Sequence, residues 1–283
     1  MLELLEQYRG LPISRIDDVY SDATDSYERY YKVGDYDAMP SVTTVLEMIN
    51  KPRLRDYKMN RALDYLGGKY AKRHWDDRIT TPPWVRYPGS PRAQSLRKKV
   101  KTTWNDAIAS LRRNAKAHPN KVRDTAGDIG TEVHEAIAAE MRGENWELTS
   151  EPAAIAMQSY RLWQEDTTIS PIWSEQTVWS LEYGFAGSAD LVGLDGSKLV
   201  VLDWKTGAGV YNEAGLQMAA YSHAIEEMTG STVDECVVIH LDKNTPACTE
   251  HKVKDWKRSF NGFLSALNTW KLWHDGVFTS NDS

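Results

Sequence analysis

Cysteine is scarce in this chain, with only Cys236 and Cys248 among 283 residues. Cys236 falls in a predicted buried strand and Cys248 in a predicted turn, so we expect no structural disulfide and a reducing compartment. Long apolar runs are also missing: no stretch approaches the length that spans a bilayer, and residues 1–6 lack the basic region of a secretion signal. These absences predict a cytoplasmic protein that does not insert into a membrane.

A Gly-x-x-x-x-Gly-Lys-Ser/Thr phosphate-binding loop is absent as well, which excludes a nucleotide-driven motor within the chain. Internal repeats and low-complexity segments are not found either. The length suits one large domain, or a core with a smaller lobe.

Charge is distributed very unevenly along the chain, although its net value is only −6. Residues 1–50 carry four basic and ten acidic side chains, whereas residues 51–123, the basic block, carry twenty basic and five acidic ones. The remainder carries ten basic and twenty-five acidic side chains. A segment with a net charge of +15 is suited to follow a phosphate backbone.

Aromatic residues are interleaved with the positive charges of the basic block, as in proteins that stack unpaired bases. Two simpler interpretations remain open, namely that the charges form a solvated face and that the tryptophans are core residues. The DNA-binding residues that we predict are Arg53, Arg55, Lys72, Arg73, Trp75, Arg97, Lys98, Lys99, Lys101 and Trp104.

A short apolar run rich in β-branched residues, at 199–205, predicts a buried strand. Because side chains alternate along a strand, Asp203 and Lys205 share one face near its end. A buried carboxylate and ammonium are costly unless they are paired or hold a metal. Two further strands are predicted at 175–181 and 186–194, and the second contains Asp190. A hairpin signal at Asp195-Gly196 would let the adjacent antiparallel strands bring Asp190 close to Asp203.

Two predicted helices flank these strands. The first, at 130–141, has His134 beside its apolar stripe. The second begins with Asn212 as its N-cap and ends at Gly230, and it places Gln217 and Tyr221 on one face because they are four residues apart.

These residues together resemble the PD-(D/E)XK nuclease superfamily, in its RecB-like branch. The matching motifs are Gly130-x-x-x-His134, a glutamate before the core strands (Glu175), Gly187-x-x-Asp190, Asp203-x-Lys205 and Gln217-x-x-x-Tyr221. The resemblance implies the order αβββαβ, with residues 236–241 as the last strand and a mixed central sheet flanked by helices. Residues 40–46 also resemble a segment of phage exonucleases and of the mitochondrial genome-maintenance exonucleases. We therefore expect an α/β nuclease core with a C-terminal packing helix at 124–283, preceded at 1–123 by a region with a mainly helical basic lobe.

The resemblance also implies roles for single residues. Asp190, Asp203 and the Trp204 carbonyl would bind Mg²⁺ or Mn²⁺, because these are hard oxygen ligands, and His134 and Glu175 would be further ligands. Lys205 would be catalytic, and Gln217 and Tyr221 would organise the site. Relatives with an iron–sulfur cluster hold it with four cysteines, and since this chain has two, we expect no cluster.

Each candidate has a simpler alternative. Asp203 and Lys205 could form an edge-strand ion pair, Asp190 could be a turn carboxylate, and His134 could be a core histidine. Glu182 lies near Glu175 in the sequence, and either side chain could face solvent. Gln217 and Tyr221 could form only a helix–strand hydrogen-bond pair.

The function predicted from the sequence is a divalent-metal-dependent DNA nuclease, encoded by a phage or a bacterium and acting in replication or recombination. An exonuclease on single-stranded ends or flaps is favoured by the basic block with its aromatic residues. The alternatives are a DNA-binding recombination or packaging factor that does not cleave, and a site-specific endonuclease. A single-strand-binding or annealing partner is conceivable, but no residue identifies one.

Overall fold

The structure is a computed structural model that describes residues 11–22, 26–49 and 127–276. The chain divides into two compact units, one made of residues 1–50 and 129–283 and the other of residues 51–128. All the DNA-binding residues predicted in the basic block lie outside the described residues, so their role stays a prediction. The predicted domain boundary at 123 also stays a prediction.

The N-terminal part forms a small antiparallel sheet in the order β1-β2-β3. A β-bulge interrupts β1 between Ile16 and Val19, where it pairs with β2. A short helix, α1, follows at once, and Ser41 caps it by accepting a hydrogen bond from the Thr44 amide at 3.0 Å. The elements are β1 (Ile13–Ser21), β2 (Ser26–Val33), β3 (Met39–Pro40) and α1 (Val42–Leu46).

A mixed five-stranded sheet forms the centre of the unit that contains residues 129–283, in the order β4-β5-β6-β7-β8. Only β6 and β7 are parallel among these neighbours, and a helix connects them. The elements after residue 126 are α2 (127–141), α3 (Glu151–Asp166), β4 (Ile169–Ser180), β5 (Phe185–Asp195), β6 (Lys198–Lys205), α4 (Asn212–Thr229), β7 (Glu235–Leu241), β8 (Cys248–Lys252) and α5 (Trp256–Asp275).

Helices cover both faces of this sheet, because β6 is apolar on both of its faces. Leu199 and Val201 belong to the core that includes α1, α4 and α5. Val200, Leu202 and Trp204 belong to the second core, with α2 and α3. The arrangement confirms the predicted αβββαβ core with a mixed sheet flanked by helices, to which α3 and β8 are additions that the sequence did not predict.

Two local predictions at element ends are wrong. Asn212 is the first helical residue of α4 rather than its N-cap, because the Ala214 amide already donates to the Tyr211 carbonyl at 3.0 Å. Cys248 begins β8 instead of lying in a turn, since it pairs with Leu241. The predicted end of α4 is confirmed, because Gly230 has a φ of 65° and its amide donates to the Glu226 carbonyl.

Residues 40–46 attach the N-terminal sheet to the central one. Ser41 forms a parallel bridge with Ala186 of β5, and Val42, Val45 and Leu46 are buried in the core beside α4 and α5. Among the helices that the structure describes, none has the length and apolar character needed to cross a membrane.

Candidate active site

Three carboxylates lie at the same level on three adjacent strands. Glu175 of β4 lies opposite Asp190 of β5, because the neighbouring pairs are Ser174 with Leu191 and Gln176 with Ala189. The last pair between β5 and β6 joins Leu191 to Leu202, so Asp203 comes next beside Asp190. The structure thus brings Asp190 and Asp203 together, as the hairpin signal predicted.

Asp190 is buried, with 6% of its surface exposed. Its Oδ2 accepts a hydrogen bond from the Trp204 amide at 2.8 Å and lies 3.3 Å from Nδ1 of His134. Burial alone would raise the pKa of Asp190, but the adjacent His134 and Lys205 more than offset it and lower the pKa.

His134 extends from α2 to connect the ends of β5 and β6. Its Nε2–H donates to the Trp204 carbonyl at 2.8 Å while Nδ1 faces Asp190. Burial opposes protonation of the ring, yet the Asp190 carboxylate prevails and raises the pKa of His134 to about 9. The imidazolium therefore contacts two of the predicted metal ligands, the Asp190 carboxylate and the Trp204 carbonyl.

Asp203 is the most deeply buried acid of the site, with 1% of its surface exposed. Its Oδ1 accepts a hydrogen bond from Nε2 of Gln217 at 3.1 Å, and its Oδ2 forms an ion pair with Nζ of Lys205. Burial raises the pKa of Asp203 to about 6, although the Lys205 ammonium acts in the opposite direction. For Lys205, burial favours the neutral amine, but the Asp203 and Asp190 carboxylates prevail and raise its pKa.

Gln217 and Tyr221 lie on the face of α4 that covers these strand ends. Nε2 of Gln217 also donates to the Tyr221 hydroxyl oxygen at 3.0 Å, and the Tyr221 ring packs on Gly187 of β5. A Cβ atom at position 187 would come within 2.4 Å of the Tyr221 ring, which explains the glycine in the Gly187-x-x-Asp190 motif.

Glu175, rather than Glu182, lies at this cluster. One ligand atom each from Glu175, His134 and Asp190 falls within 4.8 Å of the others. Glu175 has a φ of 51°, in the left-handed region, and its carboxylate accepts a hydrogen bond from the Ser188 hydroxyl at 3.3 Å. Although the side chain keeps contact with solvent, burial among the surrounding atoms and the nearby Asp190 raise the pKa of Glu175 to about 7.

An open cavity of about 470 Å³ lies over these residues. The cavity is lined by every predicted catalytic residue and by the side chain of every predicted metal ligand except Trp204. Trp204 contributes its backbone carbonyl, which accepts a hydrogen bond from His134. Sequence reasoning missed several other lining residues, namely Arg15, Arg29, Tyr31, Thr43, Thr131, Arg142 and Ser188. Strand alternation places Arg29 and Tyr31 on one face of β2, but the sequence contains no signal that this face meets the cavity.

The donor atoms fit a hard divalent cation. Asp190, Glu175 and the Trp204 carbonyl offer oxygen, Asp203 adds a carboxylate beside them, and His134 adds an imidazole nitrogen. Oxygen-rich sets of this kind suit Mg²⁺ or Mn²⁺. The Asp190 carboxylate also helps to raise the pKa of Glu175, and a cation between the two would relieve this repulsion.

Some solved structures show limited similarity. The alkaline exonuclease LHK-Exo from Laribacter hongkongensis is 16% identical, with a TM-score of 0.28 over 50% of this chain and 80% of that one. Its complex with dAMP gives 17% identity and the same TM-score and coverage. A protein named SSO0001 is 11% identical, with a TM-score of 0.25 over 40% of this chain and 57% of that one. These likenesses are too weak to carry an argument.

The family comparison is decisive. No curated protein matches the chain in sequence. The model of the PD-(D/E)XK nuclease superfamily, however, matches residues 107–278, which is more than half of the chain and includes every catalytic residue predicted above. The chain belongs to the PD-(D/E)XK nuclease superfamily, and the mixed sheet flanked by helices is consistent with the fold of that family.

Proposed function

We propose that this protein hydrolyses DNA phosphodiester bonds with the help of a divalent metal, and that it acts as an exonuclease on single-stranded ends or flaps. One observation carries the proposal: three carboxylates, Glu175, Asp190 and Asp203, line up on adjacent strands beside the Lys205 ammonium, under an open cavity. Buried carboxylates such as Asp190 and Asp203 are costly unless they are paired or hold a metal, and clusters of this kind are frequent at functional sites.

The cation would be held by Asp190, Asp203 and the Trp204 carbonyl, with Glu175 and His134 completing its surroundings. When bound, it would neutralise charge on the phosphate and lower the pKa of a water molecule. His134 now interacts with two of these ligands through both of its nitrogens. It would therefore have to give up at least one proton for its own nitrogen to serve as a ligand.

Lys205 is best suited to stabilise negative charge. The Asp203 and Asp190 carboxylates raise its pKa, so in the absence of metal the side chain is an ammonium at neutral pH. An ammonium fixed beside Asp203 can donate a hydrogen bond to a phosphate oxygen and hold the phosphate in line with an attacking water.

Gln217 and Tyr221 would keep Asp203 in position. The amide of Gln217 donates both to Asp203 and to the Tyr221 oxygen, and the Tyr221 ring is fixed by its contact with Gly187. Removal of the Gln217 amide would leave the Asp203 carboxylate with only Lys205 to orient it.

The basic block supports DNA as the substrate. Its net charge of +15 contrasts with the acidic remainder of the chain, and its aromatic residues would stack unpaired bases. We assign the basic block to the N-terminal region of the two-part organisation, with the nuclease core at 124–283. We also propose a cytoplasmic role in the replication or recombination of phage or bacterial DNA.

The test is cleavage of end-labelled DNA by the purified protein. Single-stranded, duplex and circular substrates, labelled at the 5′ or the 3′ end, are incubated with Mg²⁺, Mn²⁺ or EDTA. The proposal expects metal-dependent shortening of linear single strands, with circles spared, and a loss of about 10²- to 10³-fold in Lys205→Ala.

The matched control is Lys198→Ala, which removes a lysine at the other end of β6 that is paired with Glu235. Cleavage of circles would indicate an endonuclease instead. Binding without cleavage under any metal would overturn the proposal in favour of a DNA-binding factor.

A further inference from the structure

The hairpin formed by β1 and β2 has one face that is covered by the C-terminal helix. Tyr30 packs edge-on against Trp270 of α5, with ring centroids 6.0 Å apart. Glu28, two residues earlier on the same face of β2, lies 3.1 Å from Nε2 of His274. This face therefore anchors the hairpin to the core.

The opposite face, which we call the outer face, consists of Arg15, Tyr20, Tyr27, Arg29 and Tyr31. Tyr27, Arg29 and Tyr31 alternate with the anchored residues along β2, so they point the other way. Arg15 pairs with Tyr31 and Tyr20 pairs with Tyr27, which places all five side chains on one side. Arg15, Arg29 and Tyr31 line the cavity of the candidate active site. The outer face thus leads from that cavity to Tyr20 and Tyr27.

Two tyrosines form the distal end of the outer face. Tyr20 and Tyr27 are 51% and 67% exposed, and their rings meet edge to face with centroids 5.5 Å apart. Tyr27 precedes Arg29 by two residues in β2, so it lies about 7 Å farther along the strand from the cavity. Rigid aromatic rings that remain this exposed beside a catalytic cavity are suited to stack a base.

Two arginines lie between the tyrosines and the catalytic carboxylates. The bulge in β1 directs Asp17 between them, so that Nε of Arg15 and Nε of Arg29 lie 2.8 Å and 2.7 Å from its carboxylate. A single carboxylate leaves the pair with a net positive charge. The arginine side chains remain 49% and 40% exposed, so their other guanidinium nitrogens can reach a phosphate.

We propose that the outer face binds an unpaired nucleic-acid strand where it extends beyond the active site, with Arg15 and Arg29 on its phosphates and Tyr27, supported by Tyr20, stacked on a base. The inference rests on the proposed nuclease function, and it adds a strand-binding surface outside the basic block. A base within a duplex is already stacked on both sides, so this surface selects single strands.

The test is binding of fluorescent oligodeoxynucleotides in EDTA, which separates strand binding from cleavage. Lengths run from the dinucleotide to about sixteen nucleotides, so that they include the roughly 4–16 nucleotides that single-strand sites cover. We expect Tyr27→Ala to weaken binding of the longer oligonucleotides by about 5- to 150-fold, the range that loss of one stacked base gives. The dinucleotide, which cannot extend from the cavity to Tyr27, should show a much smaller effect.

Two further variants make the result specific. Tyr27→Phe should restore binding, because stacking needs the ring and not the hydroxyl. Trp273→Ala removes another exposed aromatic side chain, 54% exposed on α5 and outside the outer face, and should bind all lengths as the wild type does.

Equal affinity of Tyr27→Ala and the wild type at every length would overturn the inference, as would an equal loss in Trp273→Ala. Absence of metal-dependent cleavage together with the expected binding pattern would overturn the proposed nuclease function alone.

Discussion

Two clusters in the described part of the chain contain one histidine and two carboxylates, with ligand atoms within 4.8 Å of one another. The catalytic cluster is His134, Glu175 and Asp190. The helix cluster is His223 with Glu182 and Glu227. In the catalytic cluster burial opposes protonation of the histidine, but the Asp190 carboxylate prevails and raises its pKa. In the helix cluster burial lowers the pKa of the histidine, although Glu227 acts in the opposite direction.

The two clusters differ in their surroundings, although Nε2 of His223 and Oε2 of Glu227 are buried without a hydrogen-bond partner. Glu227 uses its Oε1 to accept hydrogen bonds from the amides of Leu181 and Glu182, at 2.8 Å and 3.2 Å. The His223 ring is stacked on Phe260, with centroids 4.0 Å apart. The helix cluster therefore holds the turn between β4 and β5 against α4 and α5. The catalytic cluster faces an open cavity instead, so residue types alone do not define a metal site.

The largest difference that we expect between variants of the two clusters is in the rate of DNA cleavage. Asp190→Asn is expected to reduce metal-dependent cleavage by about 10³-fold, because it removes a charged oxygen ligand from the row of carboxylates. Glu227→Gln, its counterpart in the helix cluster, is expected to keep cleavage within about twofold of the wild type, as expected for a residue outside the site. Initial rates on labelled single-stranded DNA measure both, and similar losses in the two variants would erase the distinction between the clusters.

Metal binding is the second difference. At a hundredfold excess over its Kd, Mn²⁺ should stabilise the wild type by about 2.7 kcal/mol and raise its melting temperature by several degrees. Asp190→Asn should lose this shift. Glu227→Gln should retain the rise in melting temperature. Thermal unfolding of both variants with and without Mn²⁺ tests these expectations. A shift that survives in Asp190→Asn but not in Glu227→Gln would place the cation at the helix cluster.

The free energy of unfolding should depend on the helix cluster. Glu227→Ala removes a carboxylate that accepts hydrogen bonds from two backbone amides, and we expect it to lower the free energy of unfolding by about 1–3 kcal/mol. Denaturant unfolding measures the change. Glu182→Ala, an exposed neighbour in the same cluster, is the control and should change stability by less than about 0.5 kcal/mol.

The pH dependence of the two histidines should have opposite signs. For His134 the folded pKa is about 9, above the ordinary value of 6.5. Its contribution to metal-free stability is therefore full below pH 6.5 and is lost as the pH rises to about 9. The folded pKa of His223 lies below 6.5, so its contribution is present above pH 6.5 and is lost as the pH falls.

Metal affinity should rise through the same alkaline window, by up to about tenfold per pH unit for each proton released. Titration of Mn²⁺ at pH 6.5, 7.5 and 8.5 measures it, with His134→Gln expected to flatten the slope and His223→Gln to leave it unchanged. A slope that persists in His134→Gln would assign the proton to another group.

The core of the site could be predicted because its residues follow the period of a strand or a helix. Asp203 and Lys205 alternate along one strand, and Gln217 and Tyr221 are one helical turn apart, so each spacing dictated a shared face. The antiparallel connection at Asp195-Gly196 then set the register that aligns Asp190 with Asp203.

The other features of the site could not be predicted, because they depend on contacts between segments that are distant in the sequence. Glu175 could not be distinguished from Glu182 because only the register of β4 on β5 shows which one lies opposite Asp190. Arg15 and Arg29 were missed because their approach to the cavity follows from docking of the hairpin on α5, and no local pattern encodes that contact. The contact between Gly187 and Tyr221 likewise joins a strand to a helix more than thirty residues away.

The bridge between Ser41 and Ala186 joins two segments that are 145 residues apart in the sequence. Contacts of this separation carry a loop-closure cost and tend to form late in folding, whereas β4, β5 and β6 are neighbours in the sequence. We therefore expect the row of carboxylates to assemble before the N-terminal lining residues, among them Arg15, Arg29 and Tyr31, complete the cavity. A partly folded chain would then expose its carboxylates before the cavity over them is closed.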